Sequence, residues 1–341
     1  MIVDEWIARK IGLPPGDNLS RKQLEMWQLK KLRETIDRAI TNSSFYKEKY
    51  KYIRTSTIDS LENITKLTFT TAEELAEYGP GMVCVPASAI SRIVTLQTSG
   101  TTGAPKRIWF TADDQELMID YVHHGLTVMT RPGEVFLILM PCEKPGSIGD
   151  LVAIGVERIG CRAIRLGPIP KDGSQDEETL EIMRREGVAT GLATASTAAR
   201  LALKSCGDTS IQGKMRTILL SAQYISKTDK DIIEESWKCK VYEHYGMTEM
   251  GLGGAMDCGE GFGYHPREAD LLFEIIDPIT GKTLPEGKRG EIVFTTLTRR
   301  AMPLIRYRTG DFSRWVPDAC DCGSILKRLE RVDDRNEYKR Y

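Results

Sequence analysis

The stretch LQTSGTTGAPKR, Leu96 to Arg107, holds two glycines, three threonines and a serine and closes on two cations. Gly100 and Gly103 let backbone N–H groups converge on an anion, because neither carries a Cβ to block close approach. Thr98, Ser99, Thr101 and Thr102 add hydroxyl donors, and Lys106 adds a full positive charge. The run reads G-T-T-G-A-P-K-R and not the G-x-x-x-x-G-K-[ST] of the Walker loop. Taken alone it is either a phosphate-binding loop or a polar surface turn. Its surroundings decide.

Outward from this loop, from Ser91 on, short apolar segments alternate with amphipathic ones. RIVTLQ, EVFLILM, CRAIRL, VATGLAT, RTILLSA and KVYEHYG predict strands. Between them, Leu117, Tyr121 and Leu126 recur at helical spacing after Asp113, and Ile233 and Trp237 share a face after Ser226. Ser196 is expected to cap a further helix ending near Gly207. Alternation of this kind predicts a mostly parallel sheet covered by helices. Ligands of such sheets bind at the carboxyl ends of the strands. The loop follows one predicted strand and is expected to lead into a helix, which would place it there.

Upstream, Ser20 and Gln23 make an S-x-x-Q capping box, and Leu29, Leu32, Ile36 and Ile40 continue at helical spacing. Beyond Met250 the helical pattern fades, and LLFEIIDPITGKTLPEGKRGEIVFTTLT predicts two strands around a Gly/Pro turn. The expected division is a helical lead-in at 1–90, an α/β unit at 91–255, a β-rich unit at 256–330 and a stub at 331–341.

At 341 residues the chain is long enough for more than one subdomain. A hydrophobic content of 41% and a charged content of 28% are those of a globular protein. The net charge of −1 gives no overall pull toward nucleic acid or an anionic membrane, so neither is expected as a partner. MIVDEWIARKIG lacks the apolar stretch of a secretory signal, and the apolar run VFLILM (Val135–Met140) is too short to span a bilayer. A cytoplasmic location is expected. Eight cysteines are too few for a disulfide scaffold at this length, and most of the scattered ones should be buried small apolar residues.

Three more segments complete the pattern. VYEHYGMTEMG (Val241–Gly251) runs from a strand through an aromatic and a Gly turn to a hydroxyl and a carboxylate. IRYRTGDFSRW (Ile305–Trp315) has a Gly turn presenting Asp311. LERVDDR (Leu329–Arg335) is an Arg/Asp cluster. Each alone could be solvated surface. In this order, together with SFYKEKY, LTFTTAEEL and GEIVFTTLTRRAMPLIRYRTGD, they resemble the adenylate-forming acyl-CoA synthetase superfamily over almost the whole chain. Within it the likeness is to the phenylacetate–CoA ligase branch, including relatives that adenylate a deazaflavin coenzyme.

The resemblance implies an α/β fold: a large adenylation core of helix-covered sheets with a smaller β-rich subdomain. It also implies the roles. Thr98, Ser99, Gly100, Thr101, Thr102 and Gly103 with Lys106 would wrap the β- and γ-phosphates of ATP. Ser221, Ala222 and Gln223 would border the adenine, and Tyr245, followed by Gly246, would stack on it. Thr248 would donate to the α-phosphate and Glu249 would hold Mg²⁺. Asp311 would accept from the ribose hydroxyls, with Arg331 beside the same sugar. Lys106, Thr248 and Glu249 would be the catalytic set. The reaction implied is attack of a carboxylate on the α-phosphorus, giving an acyl-adenylate and pyrophosphate, with CoA as the later acceptor. Two anions must meet, so charge neutralisation and alignment dominate. No Ser-His-Asp or Cys-His set is evident, and His123 and His124 are expected to have packing or surface roles.

Cys258 and His265 in DCGEGFGYH, with Cys320 and Cys322 in DACDCG, are by spacing alone either unrelated residues or a metal set. The resemblance implies a structural zinc on these four. Cys258 follows Glu249 by nine residues (258 − 249) and Cys320 follows Asp311 by nine (320 − 311), so a metal there would tie together the loops after two catalytic residues. The resemblance also implies a C-terminal lid of about 100 residues that carries a catalytic lysine. The sequence reaches Arg331 and Asp333 and ends at Tyr341, so the lid is expected to be absent from this chain; a separate lid chain or a homodimer is the expected partner. The alternatives to acid adenylation are a catalytically incomplete ATP- or adenylate-binding protein and adenylation of a hydroxyl-bearing coenzyme. MPCEKPGSIGDL (Met140–Leu151) stands where aryl ligases have an aromatic-lined segment and does not repeat that pattern; by analogy with the branch, a small carboxylic acid, aromatic or otherwise hydrophobic, is the expected substrate.

Overall fold

The computed structural model describes residues 2–96 and 105–332. The elements in chain order are helices α1 (Ile2–Lys10), α2 (Arg21–Asn42), α3 (Ser44–Lys49) and α4 (Ala72–Tyr78), then strands β1 (Arg92–Leu96) and β2 (Lys106–Phe110). Next come α5 (Ala112–Leu126), β3 (Val135–Ile138), α6 (Ile148–Ile159), β4 (Arg162–Arg165), α7 (Asp176–Glu186), β5 (Thr190–Ala193) and α8 (Ala195–Lys204). They are followed by β6 (Thr217–Leu220), α9 (Lys227–Trp237), β7 (Lys240–Tyr245), β8 (Ala255–Met256), β9 (His265–Pro266), β10 (Leu271–Ile276), β11 (Gly290–Thr296) and β12 (Tyr307–Ser313).

Capping chemistry sets the helix starts. Ser20 with Gln23, Thr71 with Glu74 and Thr111 with Asp114 each form a reciprocal box, satisfying orphan N–H groups at the first turns of α2, α4 and α5. For α8 the cap is Thr194, whose hydroxyl accepts from the Thr197 N–H; Ser196 lies inside the first turn, two residues past its expected place.

Among the described residues the largest sheet has the order β4-β3-β5-β6-β7-β8-β9, parallel as far as β7 and antiparallel beyond. Alternation along its strands divides two cores. Phe136, Ile138, Leu192, Leu219 and Tyr242 pack with α1, α5 and α6. Leu137, Ile218, Leu220 and Val241 face α7, α8 and α9. A strand buried on both faces reads as a continuous apolar run, as TILL in β6 does.

Two expectations change. RIVTLQ does not join the parallel sheet: β1 and β2 pair antiparallel, Leu96 opposite Lys106, and the pair precedes α5. A period-2 match over so short a run cannot tell a hairpin arm from a parallel strand, because both alternate side chains alike. Second, the Gly turn at Asp311 is part of a strand. β10, β11 and β12 form an antiparallel sheet, and between Val293↔Arg308 and Glu291↔Phe312 three residues of β12 oppose Ile292 alone. Gly310, at φ +71°, allows this bulge.

Candidate active site

Strand ends position most of the site. Ser221 follows β6 and Tyr245 closes β7, so both stand at the carboxyl edge of the parallel sheet. A short 3₁₀ turn, Thr248–Met250, then buries Glu249 at 2% exposure. The bulged β12 brings Asp311 against Tyr245: the Tyr245 hydroxyl donates to Asp311 Oδ2 at 3.0 Å, and both residues are buried. The Asp311 N–H in turn donates to Thr309 Oγ1 at 3.0 Å, which fastens the main chain of Asp311 within the bulge.

Lys106 enters from the first residue of β2. Its Nζ forms an ion pair with Glu249 Oε1, although 143 residues separate them. The same oxygen accepts from the Tyr307 hydroxyl at 3.3 Å. A buried carboxylate must be paired or hydrogen-bonded, and here a lysine and a phenol supply that. Tyr307 lies within the quoted IRYRTGD; its alternation with Asp311 along one strand was the signal available for it, and it was not singled out.

The remaining predicted residues disperse around this centre. Ser221 Oγ lies 2.9 Å from His244 Nδ1, Ala222 holds a left-handed φ of 67°, and the Gln223 carbonyl accepts from Ser196 Oγ at 3.0 Å. The ring of Tyr245 stacks near Tyr264, centroids 6.4 Å apart. Arg331 is paired with buried Glu243 and lies over the Phe262 ring at 5.4 Å. Glu243 also receives Lys230 at 3.3 Å and the Tyr264 hydroxyl at 3.3 Å, so Arg331 is fastened to β7. Burial, and the Arg267 charge after it, hold the His244 imidazole down at about 4, so it is neutral at pH 7. Thr98, Ser99, Gly100, Thr101, Thr102 and Gly103 lie outside the described residues, as do Asp333 and the rest of the stub.

A second cluster adjoins the site. The ligand atoms of Cys258, His265, Cys320 and Cys322 all lie within 4.8 Å of one another. Cys258 Sγ is 3.6 Å from Cys320 Sγ, far beyond a disulfide bond, and Cys322 Sγ is 3.3 Å from His265 Nε2. The other His265 nitrogen, Nδ1, lies 3.1 Å from the Lys327 carbonyl, which leaves Nε2 as the lone-pair nitrogen facing the thiols. Burial raises the thiols of Cys258 and Cys322; at Cys320 hydrogen bonds from Cys322 outweigh burial and lower it. Three sulfurs and one oriented imidazole fit a tetrahedral Cys₃His zinc set. Elsewhere Cys84, Cys161 and Cys239 are buried, whereas Cys206 is exposed. The His124 ring packs on Trp6 at 5.2 Å and on His123 at 4.3 Å. No helix among the described residues is long and apolar enough to cross a membrane.

Residues 41–297 match the AMP-binding enzyme family. The phenylacetate-coenzyme A ligase of Pseudomonas putida is 29% identical over 339 residues, covering 97% of this chain and 74% of the relative. That of Escherichia coli (strain K12) is 26% identical over 335 residues, covering 95% and 74%. Among solved structures, 2-hydroxyisobutyryl-CoA ligase in complex with 2-HIB-AMP and CoA superposes with a TM-score of 0.83 at 23% identity, over 95% of this chain and 72% of that one. This last likeness is one of fold.

Proposed function

The chain belongs to the AMP-binding enzyme family, and from that premise we propose that it is an AMP-forming ligase that adenylates a carboxylic acid with ATP and passes the acyl group to the thiol of CoA. The observation that carries the reading is the convergence of Lys106 and Tyr307 on one oxygen of Glu249, beside the Tyr245–Asp311 pair. Both carboxylates are buried with hydrogen-bond partners at one cleft, an arrangement that suits a site taking a cation and a ribose.

The first step joins the acid oxygen to the α-phosphorus and releases pyrophosphate. Tyr245 presents its ring to the adenine, and its hydroxyl holds Asp311 ready to accept from the ribose. Thr248, at the head of the 3₁₀ turn, donates to the α-phosphate. Lys106 leaves Glu249 for the phosphates, and Tyr307 keeps the carboxylate in place as it does so. Glu249 would hold Mg²⁺, which when bound neutralises charge on the phosphates. Arg331, fastened by Glu243, borders the sugar from the hinge side. In the second step the thiolate displaces AMP from the acyl carbon.

Cys258, His265, Cys320 and Cys322 would hold a structural zinc, with four protein ligands and no open position for chemistry. These residues brace the loop after Glu249 against the loop after Asp311. A cytoplasmic location and a division into a lead-in, an α/β unit and a β-rich unit belong to the same reading.

ATP–pyrophosphate exchange across a panel of acids tests the proposal. Exchange that depends on an added acid is the expected result; ATP binding without exchange under any acid would overturn it.

A further inference from the structure

Behind the Thr248–Met250 turn lies a cavity of about 30 Å³, walled by Met118 of α5, Leu151 of α6, Leu192 of β5, Leu219 of β6, His244 of β7 and Gly253. Its wall reaches the carboxyl edge of the parallel strands at Ser221, which follows β6. Ser221, which borders the expected adenine position, and Gly251, two residues past Glu249, are also in its wall. An acid whose carboxylate faces the α-phosphorus has this space beyond it for its carbon chain.

Volume decides what fits. One water needs about 10–15 Å³, and a dry cavity of about 150 Å³ holds a benzene ring. At about 30 Å³ the space takes roughly two or three non-hydrogen atoms. The walls have little room to retreat. A Cβ placed on Gly253 would lie 2.3 Å from Tyr121 Cε1, so loop and helix already touch there. Charge decides the rest. Among the described residues that line the cavity there is no Asp, Glu, Lys or Arg, and the polar groups are Ser221, Tyr121 and His244. An ionised group on the tail would be desolvated without a partner, which is prohibitive.

We propose that this cavity receives the tail of the acid and restricts the enzyme to short, uncharged monocarboxylates, of the size of propionate or isobutyrate, and that it excludes arylacetates. The inference rests on the adenylation reading above and names its substrate class.

The test is ATP–pyrophosphate exchange with propionate, isobutyrate, succinate and phenylacetate, on the full chain and on Leu219→Ala. The expected kcat/KM for propionate or isobutyrate exceeds that for phenylacetate and for succinate by at least about 100-fold. Leu219→Ala enlarges the cavity and is expected to raise phenylacetate at least about tenfold relative to propionate; Met118→Ala serves the same purpose if that variant does not fold. A wild-type preference for phenylacetate or succinate, or an unchanged ratio in a folded enlarged variant, would overturn the size and charge assignment alone. Exchange with none of the four acids while hexanoate or benzoate supports it would do the same. Absence of exchange with every acid would instead overturn the adenylation reading and this inference with it.

Discussion

The nucleotide cleft and the Cys/His cluster adjoin each other and draw on successive stretches of the same chain, yet they are held in opposite ways. In the cleft Glu249 has a partner that a substrate can replace, Lys106, while Tyr307 and Tyr245 hold Glu249 and Asp311 by single hydroxyls that leave each carboxylate able to accept more. In the cluster, four ligand atoms gather within 4.8 Å, and the imidazole is oriented by a backbone carbonyl that nothing displaces. Exchangeable contacts suit a site that must bind and release; fixed ones suit a brace. The lesson is that burial alone does not distinguish a working residue from a structural one, whereas the replaceability of its partner does.

The most severe way to break this contrast is Glu249→Gln. If the Lys106 pair is exchanged for substrate, acid-dependent ATP–pyrophosphate exchange should fall about 10²–10³-fold while the melting temperature changes little. A brace would show the reverse. Cys320→Ser supplies that reverse case: zinc content by elemental analysis should fall below one per chain, and unfolding free energy in urea should drop by about 3 kcal/mol. Activity should then fall only as folded protein is lost.

Tyr245→Phe sharpens the cleft further. The ring remains for stacking but the hydrogen bond to Asp311 is gone, so KM for ATP should rise about fivefold with kcat nearly unchanged. The smallest effect concerns pH. His244 is held down at about 4 by burial and by Arg267, whereas in the unfolded chain it titrates near 6.5. Below about pH 6.5 the unfolded chain takes up a proton that the fold refuses, so stability should fall between about pH 6.5 and 4 and be level above. Urea midpoints at pH 7 and pH 5 should converge in His244→Gln if this residue is responsible.

The substrate cavity adds a second contrast, between this chain and its relatives. The phenylacetate-coenzyme A ligases share 26–29% identity with it. A cavity of about 30 Å³ lined without charge points to a smaller acid, so likeness in the nucleotide cleft need not extend to the acyl side.

Legibility follows the range of the forces involved. The helix start at Ser20 depends on a contact three residues away, so its capping residues reveal it; Ser196 misled because a neighbouring threonine offers the same hydroxyl. Strand propensity showed RIVTLQ as a strand but not its partner, since pairing is a matter of tertiary contact. Tyr245, Glu249 and Asp311 were legible as a set because their segments, in this order, resemble those of a known family. Their pairing with Lys106, Tyr307 and each other was not, for those contacts span 58 to 143 residues.

What the amino-acid order determined by itself was local: periodicity, caps, the apolar runs of a sheet buried on both faces, and the residue types an ATP site requires. The tertiary structure alone decided which buried carboxylate meets which partner, that four distant Cys and His residues share one point, and how much room the acid is left. Those depend on close packing across long stretches of chain, where a difference of a few ångströms separates a metal set from scattered thiols and a short acid from an aromatic one.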